Sequence, residues 1–406
     1  MRIGYLYDFE AWPTKGGNHV HAYEITRNLV ELGHEVAVVD DPTMPGAVNH
    51  RSDAGELAAF VESVDGLYVR IDARPTWRWQ VLSECQSLAA DKPIVWEINS
   101  PANEALAYSW LGGRSLEDGL SEETFLRRLR RHVHAWRQLP RIKREERHRQ
   151  ELAQRVDAAI CVSGALATYA RKELGLERGR VLPNGGPLLT REDIAARRRK
   201  AEHSGFTVLY SGSAMYPWQG LDILFETIKL AARNQPDIHF VLAVNQSAKG
   251  LEESANVTVL RALDRDGILD AICGADVCVA LHPDYPWSPY GFHNSPMKMF
   301  EYMACMRPVV ASSHGQMKEL LADTGAGLLC DNHPVDVLEK IGYLRDHPAE
   351  AERMGTAGWD SVHQTYNWRR NARETAALFE ELLAARPGDA GKPGSPVLTS
   401  TDTAGI

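Results

Sequence analysis

Between Pro289 and Ser313 the chain reads PYGFHNSPMKMFEYMACMRPVVASS, a loop, a short helix, a break and a buried strand in immediate succession. Gly291, Asn294 and Pro296 suit a loop that turns into a helix, with Ser295 as N-cap and Pro296 at the first helical position. Met297, Phe300 and the run from Glu301 to Ala304 continue the helix with an apolar face. Pro308-Val309-Val310-Ala311 is a short β-branched run suited to a central strand. Lys298 and Glu301 stand three apart and share one helix face. The junction also offers unpaired backbone N–H groups and the positive end of the helix dipole. Such a place suits an anionic ligand that carries hydroxyls: amides and Lys298 hold phosphate, and a carboxylate accepts two vicinal OH groups. A sugar nucleotide offers both. A capped surface helix with one ion pair accounts for the same letters, and spacing alone does not separate the two readings.

The rest of the chain repeats this alternation of strand and helix. Arg2 to Asp8 reads as a strand, FEAWPTKGGN as a loop, His19 to Leu32 as a helix closed by Gly33-His34, and Glu35 to Val39 as the next strand. Gly16 and Gly17 allow a phosphate or sugar to approach the backbone there, although a plain tight turn needs the same glycines. Two further strands, Gly66 to Arg70 and Pro93 to Asn99, flank a helix from Trp77 to Ala90. Arg70, Glu97 and Asn99 end these strands, where open α/β sheets place ligands; one structural Arg70–Glu97 ion pair is the alternative. Leu116 to Asp157 reads as a long charged helical region broken at Pro140. Its many arginines suit an anionic membrane surface or acceptor, but Glu145, Glu146 and Glu151 interleave and favour a solvated face with local ion pairs. Val156 to Ser163 is a strand, followed by a helix to Leu174 that Gly175 ends. After a polar linker, Phe206 to Tyr210 opens a second series of strands and helices that continues to about Ala385.

The segment SPMKMFEYMACMRPVVAS resembles the signature of retaining GT-B glycosyltransferases of family 4, in the form S-P-x-K-x-x-E-Y-M-A carried here by Ser295, Pro296, Lys298, Glu301, Tyr302, Met303 and Ala304. The GG…LxxxGHEVxVV layout near the start, YVRIDARP, WEINSPANEA, the V-x-P-N-G segment ending at Gly185 and the loop SGSAMYPWQGLD are similar to other parts of that family. The resemblance implies two Rossmann-like α/β domains facing each other across a cleft. Residues 1–187 form the first, on the acceptor side, and 206–365 the second, on the donor side. Residues 188–205 link them, a helix over 366–385 crosses back to the first domain, and the tail 386–406 is expected to be disordered. It further implies Glu301 on the nucleotide ribose, and Lys298, Gly212, Ser213 and Gln219 on the diphosphate. His293, Asn294, Ser295, Pro296 and Met297 meet the donor from the helix entry, and Gly17 meets it from the first domain. Gly16, Asn18, His19, Arg70, Glu97 and Asn99 face the acceptor. The chain departs from the family where His293 replaces an acid and where Ser213 and Gln219 replace two cations. Trp218 reads as a packing residue over the turn.

The implied activity is transfer of a hexosyl group from a UDP- or GDP-linked sugar with retention of configuration. No cofactor and no metal is expected, since Lys298 and the helix-start amides carry the phosphate charge. The other readings are a non-catalytic sugar-nucleotide-binding partner subunit and a transferase for lipid-linked or polysaccharide acceptors. With 406 residues the chain can bury two cores, and a net charge of −9 argues against nucleic-acid binding. The six cysteines form no C-x-x-C pair and suit reduced buried thiols in a cytoplasmic protein. No apolar run reaches the roughly 18 residues a membrane span needs. Together these lean toward a small soluble acceptor such as a metabolite or natural product, with membrane contact at most peripheral.

Overall fold

The computed structural model describes residues 1–7, 17–71, 77–89, 91–101, 125–198, 205–214, 219–244, 252–285 and 288–385. Two parallel sheets organise them. The first runs in the order β3-β2-β1-β4-β5-β6-β7, with β1 Arg2–Tyr7, β2 Glu35–Val39, β3 Val48–His50, β4 Gly66–Arg70, β5 Ile94–Ile98, β6 Ala158–Cys161 and β7 Gly179–Val181. The second runs β10-β9-β8-β11-β12-β13, with β8 Phe206–Gly212, β9 Ile238–Val244, β10 Val257–Arg261, β11 Val277–Ala280, β12 Val309–Ser312 and β13 Gly327–Cys330. The central strands are apolar almost without interruption because helices cover both faces of each sheet, so alternate residues never meet water. Parallel neighbours such as Tyr5 and Tyr68, or Leu209 and Cys278, require crossovers, and helices supply them.

The described helices are α1 Gly17–Glu31, α2 Ala54–Ser63, α3 Trp77–Leu88, α4 Phe125–Ala153, α5 Gly164–Leu174, α6 Arg191–Arg198, α7 Leu221–Asn234, α8 Arg265–Gly274, α9 Met297–Ala304, α10 Gly315–Thr324, α11 Pro334–Asp346, α12 Pro348–Gln364 and α13 Trp368–Ala384. The last returns to the first domain. Trp368 and Phe379 of α13 are buried with Tyr5, Tyr68 and Val95, Asn371 Nδ2 donates to Pro183 O at 2.7 Å, and Arg180 pairs with Glu374 at 2.6 Å. The strand order of each sheet reverses beside its first strand, between β1 and β4 and between β8 and β11. Ligands of open α/β sheets bind outside the carboxyl ends of strands at such reversals.

Three local expectations are corrected. Pro140 does not break the long helix: α4 runs through it. The position is exposed, so the carbonyl that loses its N–H partner meets water, and strong helix formers on both sides sustain the turn against a cost of about 3 kcal/mol. At α9 the N-cap is Pro296, with φ −68° and ψ 110°, and no side chain caps it. The Ser295 hydroxyl accepts instead from the backbone N–H of Asn184, in the other domain, at 2.9 Å. α1 also begins two residues earlier than the sequence suggests, so Gly17 lies in its first turn. Gly16, Trp218 and the tail 386–406 lie outside the described residues.

Candidate active site

The entry to α9 is built from three distant segments. β8 ends at Gly212, Gln219 stands directly before Gly220 and α7, and α9 carries Lys298 in its first turn. Lys298 is buried; its Nζ donates to Gln219 Oε1 at 2.7 Å and lies 4.2 Å from the centre of the Tyr210 ring. Gly212 adopts φ +151°, and a Cβ there would sit 3.0 Å from both Lys298 Nζ and Tyr210 Oη. Glycine is therefore needed for two reasons, its backbone angle and its lack of bulk beside the ammonium. The Tyr210 hydroxyl donates to Ser213 O at 3.1 Å, and this bond fixes the turn beside Lys298. Burial lowers the Lys298 pKa from 10.5 to about 7 against the influence of Glu301, which raises it. A buried ammonium whose charge is this poorly compensated is primed to receive an anion.

Lys298 and Glu301 share a face, as their spacing implies, but they do not form the surface ion pair that the simpler reading required. Glu301 Oε1 instead meets Arg265 Nη1 at 3.2 Å, and Arg265 Nη2 lies 2.9 Å from Glu24 Oε1 on α1. Glu24 is buried and belongs to the first domain, so Arg265 ties the two domains together at the carboxylate in question. Gly17 approaches the start of α9 from the first domain, where a Cβ added to it would lie 3.4 Å from Met297 Sδ. The letters D-x-D occur here as Asp264-Arg265-Asp266. Asp264 caps α8 through Gly267 N at 2.8 Å and the exposed Asp266 pairs with Arg197 at 2.8 Å, so neither carboxylate is directed at Lys298.

The second group of candidates gathers at the carboxyl ends of β4 and β5. Glu97 is fully buried and takes the Tyr68 hydroxyl on Oε2. Its Oε1 accepts from Asn99 Nδ2 at 2.7 Å and lies 2.9 Å from His21 Nε2 and 3.5 Å from Arg70 Nε. Burial acts to raise the Glu97 pKa, but His21, Arg70 and these hydrogen bonds outweigh it and hold the carboxyl at about 2. Arg70 also donates to Asn18 Oδ1 at 3.1 Å. Both nitrogens of the buried His21 ring face acceptors, Glu97 Oε1 and, at 2.8 Å, Asn184 Oδ1. Burial and Arg70 lower the pKa of the ring, against Glu97 and Asn184, which raise it. His19 is half-buried at the entry of α1, and burial lowers its pKa as well.

Two candidates are corrected by their burial. Glu97 is saturated by its own neighbours and presents no surface to an acceptor. His293 is 0% exposed, its Nδ1 within 3.2 Å of Gly291 O and its ring against Tyr285, so it cannot contact a donor sugar in this arrangement. It acts through its backbone: His293 O accepts from Ser163 Oγ at 2.7 Å, across the domain boundary. Asn294 Nδ2 donates to Tyr285 Oη at 3.1 Å, while its buried Oδ1 finds no partner.

Sequence reasoning did not single out Tyr210, Arg265, His21 or Asn184. Asn184 joins the two groups: its side-chain N–H donates to Ser295 O at 2.6 Å while its Oδ1 faces His21. The available signal was a polar residue after Pro183 at the end of the first domain. Tyr210 and Arg265 carried none, since a tyrosine is an ordinary strand residue and an arginine an ordinary helix residue.

Residues 15–187 match the family model described as Glycosyltransferase Family 4, and residues 214–377 match the one described as Glycosyl transferase-like. One match accounts for the first domain and the other for most of the second, so each domain resembles a glycosyltransferase family. The D-inositol 3-phosphate glycosyltransferase of Thermomonospora curvata is 25% identical over 206 residues, which are 46% of this chain and 48% of that relative. The match thus spans about half of that relative's length. Among solved structures, a sucrose-phosphate synthase from Thermosynechococcus elongatus aligns with a TM-score of 0.66 at 17% identity, covering 95% of this chain and all of its own. The HepE protein of Anabaena, in complex with UDP and glucose, aligns at 0.64 and 16%, covering 94% of this chain and all of its own. At these identities the likeness is one of fold.

Proposed function

We propose that the protein transfers a glycosyl group from a nucleoside-diphosphate sugar to a hydroxyl-bearing small molecule or glycan, with retention of anomeric configuration. The observation that carries this reading is the buried Lys298 at the amino end of α9, beside Gln219 and Gly212, with Glu301 one turn further on. In it the donor's diphosphate lies against Lys298 Nζ and the backbone amides of α9, and the Glu301 carboxylate accepts the ribose hydroxyls. The UDP and glucose bound by the Anabaena neighbour support a UDP-linked sugar.

Chemically, the site has to stabilise a departing diphosphate and a positive charge growing at the anomeric carbon. Lys298 and the helix dipole supply the first, and we propose that no divalent ion is needed for it. The acceptor oxygen forms its bond to the anomeric carbon on the face from which the diphosphate leaves, as the carbon–oxygen bond to phosphate breaks. The acceptor proton passes to the departing phosphate oxygen, so the nucleoside diphosphate is the second product. The burial and saturation of Glu97 weigh against an enzyme carboxylate as nucleophile and so favour this route over double displacement. Binding of UDP-, GDP-, ADP- and TDP-sugars, measured on the wild type, Glu301→Ala and Lys298→Ala, tests the reading. Saturable binding of one donor class that both substitutions abolish supports it. Binding without turnover in any acceptor screen favours the partner-subunit reading, and no binding to any donor refutes the site.

A further inference from the structure

The helix α4 carries a charge distribution unlike the rest of the molecule. Between Phe125 and Arg144 lie seven arginines and Lys143 with no Asp or Glu; a net −9 for the whole chain and +8 for this segment leave −17 elsewhere. The three acids of the helix, Glu145, Glu146 and Glu151, led the sequence to be read as a solvated face with local ion pairs. Of these three acids only Glu151 is exposed. Glu145 is 1% exposed and turned inward beside the equally buried Arg149, whose guanidinium lies 4.8 Å from the Trp96 ring. Glu146 is half-buried and accepts from the Tyr169 hydroxyl at 3.0 Å. Glu151, near the carboxyl end, faces His148 at 3.3 Å.

Among the described residues of α4, one exposed stripe is cationic. Val133, Trp136, Arg137, Pro140, Lys143, Arg144 and Arg147 recur at helical spacing and all are exposed, while Glu145, Arg149, Leu152 and Ala153 take the opposite face. Trp136, at 69%, stands out among the exposed large apolar residues of the described chain, and Val133 lies one turn before it. A tryptophan with an aliphatic neighbour, followed on the same face by cations and by no outward acid before Glu151, has the pattern of a helix lying in a membrane interface. A purely electrostatic partner has no use for the Trp136 ring.

We propose that this face of α4 docks the first domain on a bilayer surface rich in anionic lipid. The helix runs parallel to the surface, with the Trp136 ring among the headgroups and Arg137, Lys143, Arg144 and Arg147 on the lipid phosphates. The inference is independent of the transferase reading, because vesicle binding requires neither donor nor turnover. It does place the acceptor side of the molecule near a bilayer: Arg149 Nη2 donates to Ser100 O at 3.0 Å, directly after β5.

Flotation of the full chain with vesicles of phosphatidylcholine alone, or of phosphatidylcholine mixed with phosphatidylglycerol, tests the proposal. Binding to the anionic vesicles is expected to exceed that to the neutral ones by about tenfold or more and to weaken as salt rises. Trp136→Ala and the pair Lys143→Glu/Arg144→Glu should each reduce it on the order of tenfold. Reversal of two cations elsewhere, Lys229→Glu/Arg353→Glu, matches the change in net charge and should leave binding near the wild-type level. These positions are exposed, and an unchanged melting curve confirms that each variant is folded. Equal binding to both vesicle types, equal losses in the α4 and control pairs, or a structureless RNA that binds α4 while vesicles do not, would each overturn the proposal.

Discussion

Lys298 offers the most direct test of the donor site, because its charge depends on whether an anion is present. The fall of its pKa from 10.5 to about 7 corresponds, at about 1.4 kcal/mol for each tenfold change in the proton equilibrium, to about 5 kcal/mol of burial cost for the ammonium. Between these two values the unfolded chain holds a proton that the free folded protein has released. The stability of the free protein should therefore rise with pH from about 7 upward, the direction expected for a lowered lysine pKa. Both phosphates of a nucleoside-diphosphate sugar are already ionised in this range, so the donor brings negative charge without titrating. Its arrival restores the ammonium, and binding takes up a proton. Calorimetry of a UDP-sugar in buffers of different ionisation enthalpy should show uptake approaching one proton at about pH 8.5 and little at about pH 6. Affinity should fall about tenfold per pH unit above the free-state value. Lys298→Met removes the uptake and weakens binding. Below neutral pH it also stabilises the free protein by a few kcal/mol, reduced by about 1–2 kcal/mol for the lost contact with the Tyr210 ring. Equal proton uptake in wild type and Lys298→Met would refute the assignment of the phosphate site to this residue.

Gly212→Ala forces a side chain into φ +151° and to 3.0 Å from Lys298 Nζ, so it should cost about 1–3 kcal/mol in stability and lower donor affinity by about tenfold; an unchanged titration would show that the β8 turn and Lys298 do not act together. Asn184→Ala deletes the donor to Ser295 O and the partner of His21, both buried. About 1–3 kcal/mol should disappear from urea unfolding, with a weaker donor affinity as the entry to α9 loosens. Glu97, held at about 2 rather than 4.5, contributes stability that is present above about pH 4.5 and lost as pH falls toward 2, about 3 kcal/mol in all. Glu97→Gln should flatten that acid limb in denaturant titrations, and an unaltered limb would show that the His21–Arg70–Glu97 group does not govern it.

What was legible in the sequence, and what was not, follows from how far apart the contributing residues lie. The α/β alternation, the strand run at Val309 and the shared face of Lys298 and Glu301 are properties of one segment each, and local periodicity fixes them before any packing occurs. The partners of those same two side chains are not local. Gln219 reaches Lys298 from 79 positions away and Arg265 reaches Glu301 from 36, so the surface ion pair that spacing suggested is replaced by two contacts that only the folded sheets create. Burial misleads in the same way. Glu97 and His293 stand in loops or at strand ends, where polar residues usually meet ligands, yet both are buried, Glu97 among His21, Tyr68, Arg70 and Asn99 and His293 against Tyr285. The acids of α4 show the converse: as letters they neutralise a basic run, but one turned inward and one taken by Tyr169 leave the outward stripe cationic. Asn184 is where the two kinds of information meet. Its place after Pro183 marks the end of the first domain, and its side chain spans the boundary to Ser295 while holding His21, so the strand ends of one domain set the helix entry of the other. A substitution at Asn184 is therefore expected to be felt at both clusters, whereas substitutions at Lys298 or Glu97 stay within their own.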